Sequence, residues 1–235
     1  MTMIADNLHR VQTRIVDACL KAGRAPDSVT LLAVSKTFGP SALEQAYAAG
    51  QTAFGENYIQ EAVDKMTVLA HLPLQWHCIG PIQSNKTRQV AEHFDWVHTI
   101  DRLKIAQRLS AQRPPQMQPL QVCIQVNLDG AATKSGVTVD DALPLARAVT
   151  ALPRLCLRGI MCIPEPAPNF EAACAVFTRA RALFYQINEA GLPLDTLSMG
   201  MSDDLEAAIA SGSTLVRVGS ALFGARAPAT ISSPA

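Results

Sequence analysis

A lysine that follows a mostly apolar run is the residue in this sequence best placed to act on a carbonyl group. Lys36 closes the segment VTLLAVSK at 29–36. Partial burial there lowers an amine's pKa and leaves a nucleophile able to form a Schiff base. The competing reading is a solvated lysine whose stem lines a strand end. Two later segments could hold an anion. Met199-Gly200-Met201-Ser202-Asp203 has the form of a strand turning sharply into a helix that starts at Ser202. Arg217-Val218-Gly219-Ser220 has the form of a strand ending in two small residues. Backbone N–H groups at a helix start, with a serine hydroxyl, suit a phosphate without any net charge. Equally, Ser202 could be only an N-cap and Gly219 only a turn. Strand alternation puts Leu215, Arg217 and Gly219 on one face, with Val216 and Val218 on the other. With the valines against helices, Arg217 points inward, where a guanidinium needs a carboxylate, an anion or a heteroaromatic nitrogen.

The other polar candidates are less specific. Asn57 lies in Gly55-Glu56-Asn57-Tyr58, a strand-to-helix turn where it could cap or touch a ligand. His77 lies within a strand and reads as a satisfied core histidine. Gln83-Ser84-Asn85-Lys86 reads as a helix start, and Lys134 as a solvated loop residue. Asp101, Asn127 and Ser198 also fall at strand ends. No His, Cys or Asp cluster has metal-ligand spacing.

These residues need a frame that brings strand ends together. Eight β-rich runs can be read, at 29–36, 52–57, 74–80, 95–101, 120–128, 157–164, 196–201 and 214–223. Helical patterns separate them. Ser41 and Glu44 have capping-box spacing, and Ser202 or Asp203 is expected to cap the helix before Gly212. Phe170, Cys174, Phe177, Arg181, Phe184 and Ile187 form one helical stripe. Strand and helix alternating eight times is the pattern of a (β/α)8 TIM barrel, whose functional groups collect at the C-terminal ends of the strands. An open doubly wound sheet would usually carry GxGxxG after its first strand, and none is present. Met3, Ile4, Leu8, Val11, Ile15 and Cys19 predict an extra N-terminal helix on the bottom or flank.

Bulk properties agree. The 235 residues are 49% hydrophobic and 17% charged, enough for one large core. Twenty basic and twenty acidic side chains cancel, which argues against a general nucleic-acid binder. The six cysteines show no CxxC pair, and no segment reads as a signal peptide or membrane span. The expectation is a soluble, cytoplasmic protein.

Several blocks, taken in order, resemble the pyridoxal 5′-phosphate (PLP) homeostasis proteins, which have an alanine-racemase-like barrel. They are Ala33-Val34-Ser35-Lys36, Phe54-Gly55-Glu56-Asn57-Tyr58, His77 through Lys86, and Lys134-Ser135-Gly136. Arg158-Gly159-Ile160-Met161, Ser198 through Asp204, and Val216-Arg217-Val218-Gly219 complete them. The resemblance implies one PLP-binding domain over 1–226, with 227–235 expected to be a disordered tail. It implies that Lys36 forms a Schiff base with PLP, that Ser202, Gly219 and Ser220 hold the phosphate, and that Arg217 and Asn57 meet the ring. Arginine only donates, so its ring-nitrogen partner must be unprotonated and the cofactor a weaker electron sink. The implied role is a non-catalytic PLP carrier, a monomer that could pass the cofactor to apo PLP-dependent enzymes. The alternative is a racemase-like PLP enzyme. Racemases of this type add a further domain and a second acid/base, for which only Tyr47, Tyr58 and Tyr185 are available. A sugar-phosphate aldolase with Lys36 as its amine is a third reading, one that leaves Arg217 without a task. The roles of Lys86 and Lys134 stay open; Lys134 could accept the aldehyde by transimination during handover.

Overall fold

A strand covered by helices outside and by side chains inside is buried on both faces and is expected to be largely apolar. Most strand positions here are, apart from polar groups such as His77, His98, Ser198 and Arg217. In the computed structural model, which describes residues 2–130 and 134–224, the strands are β1 (Thr30–Val34), β2 (Ala53–Glu56), β3 (Gln75–Cys78) and β4 (Trp96–Ile100). The series continues through β5 (Leu120–Gln125), β6 (Leu155–Met161), β7 (Thr196–Ser198) and β8 (Leu215–Val218). Each pairs in parallel with its neighbours in chain order, and β8 pairs with β1, so the sheet is a closed barrel. All eight expected runs overlap a strand, the sixth of which starts two residues earlier than read, at Leu155. The eighth is shorter than read, because Ser220–Phe223 forms a separate helical turn.

Helices α1 (Met3–Lys21), α2 (Pro40–Ala48), α3 (Ile59–Val68), α4 (Thr87–His93) and α5 (Leu103–Gln112) alternate with the first strands. Then come α6 (Val139–Thr150), α7 (Phe170–Glu189), α8 (Leu205–Ala210) and the turn α9 (Ser220–Phe223). The outer core between strands and helices includes Leu43, Phe54, Phe94, Leu109, Val149 and Phe177. The barrel interior holds two smaller apolar groups: Leu32, Val34, Ala53, Ile79 and Leu215, and Trp96, Cys123 and Met161. The expected tail at 227–235 lies outside the described residues.

The extra helix α1 buries Ile4, Leu8, Val11, Ile15, Ala18 and Cys19, and packs against α2, α8 and α9. It therefore covers the flank of the barrel rather than its bottom. Arg14 donates to both carboxylate oxygens of Glu206, at 2.8 and 2.9 Å, and to the backbone oxygen of Ser202 at 3.0 Å. Asn7 donates to the backbone oxygen of Leu222 at 2.9 Å.

Three local expectations are corrected. The Ser41–Glu44 spacing is not a capping box, because α2 starts earlier, at Pro40 with Gly39 as N-cap. Proline at the first helical position has the right φ and no N–H to satisfy. The stripe on α7 is rotated: Ala173, Phe177, Ala180, Leu183 and Ile187 are buried, while Phe170 is 51% exposed. Alanines, which look neutral in a sequence, let this helix sit close to the sheet. Ser202 and Asp203 precede α8 without capping it; Asp204 is the N-cap.

A buried ion pair locks the end of β1 to α3. Lys65 donates to Glu56 Oε1 at 2.7 Å, to Glu61 Oε1 at 2.6 Å and to the backbone oxygen of Ser35 at 2.8 Å. Ser35 Oγ donates to the same Glu56 oxygen at 2.6 Å. Burial raises the Glu56 pKa above its ordinary 4.5, although the Lys65 charge and the hydrogen bonds from Lys65 and Ser35 pull it down. Such a pair gives orientation more than net stability, but losing one partner strands the other. Lys65→Met should therefore cost roughly 3–5 kcal/mol in denaturant unfolding. The double variant with Glu56→Gln should recover most of that loss. An unchanged midpoint in the single variant would show that the pair has no such weight.

Candidate functional site

Lys36 lies two residues beyond Val34, on the inward face of β1. Val34 is opposite Gly55 of β2, and Ala33 is opposite Val218 of β8. Continued by two residues, that register sets Lys36 between the exits of β2 and β8, where Asn57 and Gly219-Ser220 lie. Lys36 is half-buried. Both of its neighbours are pinned: Ser35 by the Glu56–Lys65 pair, and Thr37 by a bond from its N–H to Glu61 Oε1 at 2.7 Å. Thr37 has φ 70°, a strained conformation for a β-branched residue that the surrounding contacts must hold in place.

The β8 side supplies hydroxyls. Ser220 Oγ and Ser202 Oγ are 3.3 Å apart. Ser202 reaches this place because the chain turns at Gly200, with φ 95°, and stays non-helical until Leu205. The Met201 N–H bonds to Asp204 Oδ1 at 2.5 Å and closes that turn. A Cβ at Gly219 would lie 3.2 Å from the Val34 backbone oxygen, so the exit of β8 runs tightly against β1 below Lys36. On the other side, Asn57 Oδ1 is buried without a hydrogen-bond partner. A buried acceptor left in that state costs about 1–3 kcal/mol unless a ligand satisfies it.

Arg217 points into the barrel as alternation required, and is 4% exposed. It donates to Ser198 Oγ at 2.7 Å and to the Cys162 backbone oxygen at 2.9 Å. Burial lowers its pKa below the ordinary value, with Cys162, Asp204 and Cys123 opposing, yet arginine stays a cationic donor. From Ser198 a line of contacts crosses the interior: to His98 Nδ1 at 2.9 Å, from His98 Nε2 to His77 Nδ1 at 2.9 Å, and from His77 Nε2 to Gln75 Oε1 at 3.0 Å. His77 is thus a satisfied interior residue, as read. His98 and Gln75 were missed, though period-two alternation from Trp96 places His98 inward.

Other candidates lie apart from this group. Asp101 accepts from Arg102 at 2.9 Å, and Asn127 Oδ1 accepts from the Gly130 N–H at 3.1 Å. Lys86 ends a 3-10 turn, Ser84–Lys86, and is the N-cap residue of α4, as read, though its side chain makes no capping bond. Lys134 is paired with Asp129 at 2.6 Å and Glu165 at 2.9 Å, so it is not simply a solvated loop residue. Desolvation lowers its pKa, but the hydrogen bonds to those two carboxylates outweigh it and the net shift is upward. Tyr58 is 56% exposed at the start of α3, and Tyr47 and Tyr185 lie on the outer helices α2 and α7. Among the described residues no group of three or more His, Cys, Asp or Glu side chains could hold a metal ion. None of the helices is long and apolar enough to cross a membrane, again among the described residues.

Residues 7–227 match the alanine racemase N-terminal domain family. The pyridoxal phosphate homeostasis protein of Pseudomonas aeruginosa is 59% identical over 226 residues, covering 96% of this chain and 97% of its own. The chain belongs to the pyridoxal phosphate homeostasis protein family. The family member of Vibrio cholerae is 54% identical over 230 residues, covering 96% of this chain and 98% of its own. Among solved structures, PipY of Synechococcus elongatus with PLP bound is 36% identical, with a TM-score of 0.82 over 94% of this chain and 100% of PipY. The resemblance read from the sequence blocks, and the racemase-type barrel it implied, are both borne out.

The interior histidines of this family member set a pH response. Burial lowers the His77 pKa from 6.5 to about 3. His98 is also held well below 6.5, by burial first and then by the His77 and Arg217 charges. As pH falls through 6.5 the unfolded chain takes up protons that the folded barrel refuses, so stability must drop. Each histidine contributes a slope of about 1.4 kcal/mol per pH unit until its folded pKa is reached. Unfolding free energy measured from pH 7 to pH 4 should fall accordingly, and His77→Gln should make the fall shallower by one proton. A variant with the wild-type slope would refute the assignment.

Proposed function

We propose that this chain binds PLP as a Schiff base on Lys36 and acts as a carrier in PLP homeostasis rather than as an enzyme. The observation that carries this reading is the convergence, at the C-terminal mouth, of a half-buried lysine with two serine hydroxyls 3.3 Å apart. Ser202 and Ser220 donate to the phosphate, and Gly219 leaves room for it beside β1. The orphaned Asn57 oxygen fits a hydroxyl donor on the ring. The Arg217 guanidinium fits the ring nitrogen, because it can only donate. PLP supplies an aldehyde that condenses with amines and a ring that draws off electrons. Arg217 bonds to a serine oxygen and a backbone carbonyl rather than to a carboxylate. It therefore keeps a ring nitrogen unprotonated and restrains the electron sink, which favours storage over turnover.

The match to a racemase domain keeps one catalytic reading in play. Racemisation needs an acid/base group on each side of the substrate carbon, and of the three tyrosines only Tyr58 adjoins the site residues, its side chain exposed. The recipients in the carrier role are apo PLP-dependent enzymes in the cytoplasm, and the working unit is a monomer over 1–226. Lys134 fits the handover step poorly: its ammonium is held charged by Asp129 and Glu165, and a charged amine is no nucleophile.

The test is a visible spectrum of protein incubated with PLP and desalted, followed by borohydride reduction and peptide mapping. The expected result is a Schiff-base band and a pyridoxyl group on Lys36, both lost in Lys36→Ala. No band, or label spread over surface lysines, would overturn the reading. Exchange between D- and L-amino acids by the loaded protein would move the assignment to a racemase.

A further inference from the structure

Arg217 stands at the head of a hydrogen-bond chain that crosses the barrel through β7, β4 and β3, and the chemistry of its members gives that chain a direction. Guanidinium N–H groups can only donate, so Ser198 Oγ accepts at 2.7 Å. The Ser198 hydrogen is then free for His98 Nδ1 at 2.9 Å, which makes Nδ1 the acceptor and leaves the proton on Nε2. His98 Nε2–H donates to His77 Nδ1 at 2.9 Å, and by the same logic His77 carries its proton on Nε2 and donates to Gln75 Oε1 at 3.0 Å. Each link has one donor and one acceptor. Run the other way, His98 would donate to Ser198 as Arg217 already does, and the buried hydroxyl would keep a hydrogen with no acceptor along the line. Such a group is costly in a low-dielectric interior, where correctly ordered links also strengthen one another.

The chain is braced at its far end. The His77 ring stacks on Trp96, with centroids 5.2 Å apart and planes 5° from parallel. The Arg158 guanidinium lies 4.9 Å from the Trp96 ring centroid and is itself bonded to Asp195 at 2.6 Å. His77 therefore cannot turn freely, and the ordering runs from a fixed ring at the bottom of the barrel to the guanidinium near its mouth.

We propose that Ser198 and His98 are positioning residues that act through Arg217. They hold one tautomer of each histidine, and so one orientation of the guanidinium, toward the ring of a bound cofactor. This rests on the PLP reading given above. Among the described residues no carboxylate is hydrogen-bonded to Arg217, and its plane is set by Ser198 Oγ and the Cys162 oxygen. Removing the first leaves an N–H and a histidine nitrogen unpaired, and frees the guanidinium to rotate.

The experiment uses protein labelled with 15N at histidine, without and with PLP. At pH 7 both interior histidines should be neutral and protonated on Nε2, and adding PLP should shift their nitrogen resonances although neither residue adjoins Lys36. A proton on Nδ1 of either ring, or resonances indifferent to PLP, overturns the inference. In parallel, Ser198→Ala should bind PLP about tenfold more weakly, with an altered visible band but the pyridoxyl label still on Lys36. Ser198→Thr, which keeps the hydroxyl, should restore both. An alanine variant with wild-type affinity and spectrum overturns the positioning role and leaves the cofactor site standing. A wild-type protein that takes no label on Lys36 removes the cofactor reading and this role with it. Should the alanine variant not fold, the wild-type nitrogen spectra still decide.

Discussion

A parallel sheet has two raw edges, and eight strands remove them only when the last hydrogen-bonds to the first. Here that closure is the ladder from Thr30 opposite Leu215 to Ala33 opposite Val218. It fixes more than the shape. Lys36 and the Gly219-Ser220 pair lie almost at opposite ends of the chain, and the β1–β8 register is what makes them neighbours. The tight passage of Gly219 past the Val34 oxygen follows from the same register. A slip by one residue would turn Arg217 out of the barrel and a valine in, because side chains alternate along a strand.

Closure also creates an interior that must be filled, and this barrel fills part of it with polar groups. The apolar clusters around Leu32 and Trp96 occupy only some of the space. Much of the rest is given to a cation, a hydroxyl, two imidazoles and the Gln75 amide, linked in one chain. Outside the barrel wall the Glu56–Lys65 pair does comparable work, holding the backbone on one side of Lys36 while Glu61 holds the other. The lysine thus stands on a support of buried charge, while its own flexible stem is the only long side chain in the segment Ser35–Thr37.

Much of this was legible before any coordinates. Strand runs and their alternation with helices are set by burial, which is written in residue type, and alternation alone turned Arg217 inward. Small residues and serines at strand exits marked candidates that could equally be caps or turns, and the resemblance chose among them. What escaped was whatever depends on contacts between distant segments. His98 sits in a run that reads as an ordinary strand, and only its meeting with Ser198 and His77 gives it a task. The α2 and α8 starts were misplaced because capping residues recur by chance, and in α2 a proline decided the matter. On α7 the large side chains suggest one stripe, while the packing follows Ala173 and Ala180.

The clamp made by α1 has a temporal side. Arg14 and Asn7 belong to α1, made well before their partners Glu206, Ser202 and Leu222, which are among the last described residues. Contacts that span so much sequence must wait for the chain between them and bear a large loop-closure cost, so they form late. The serine corner of the mouth is therefore expected to close late in folding, once α1 has met α8 and α9. By that order a nascent barrel carries Lys36 long before the corner that sets Ser202 beside Ser220 can close.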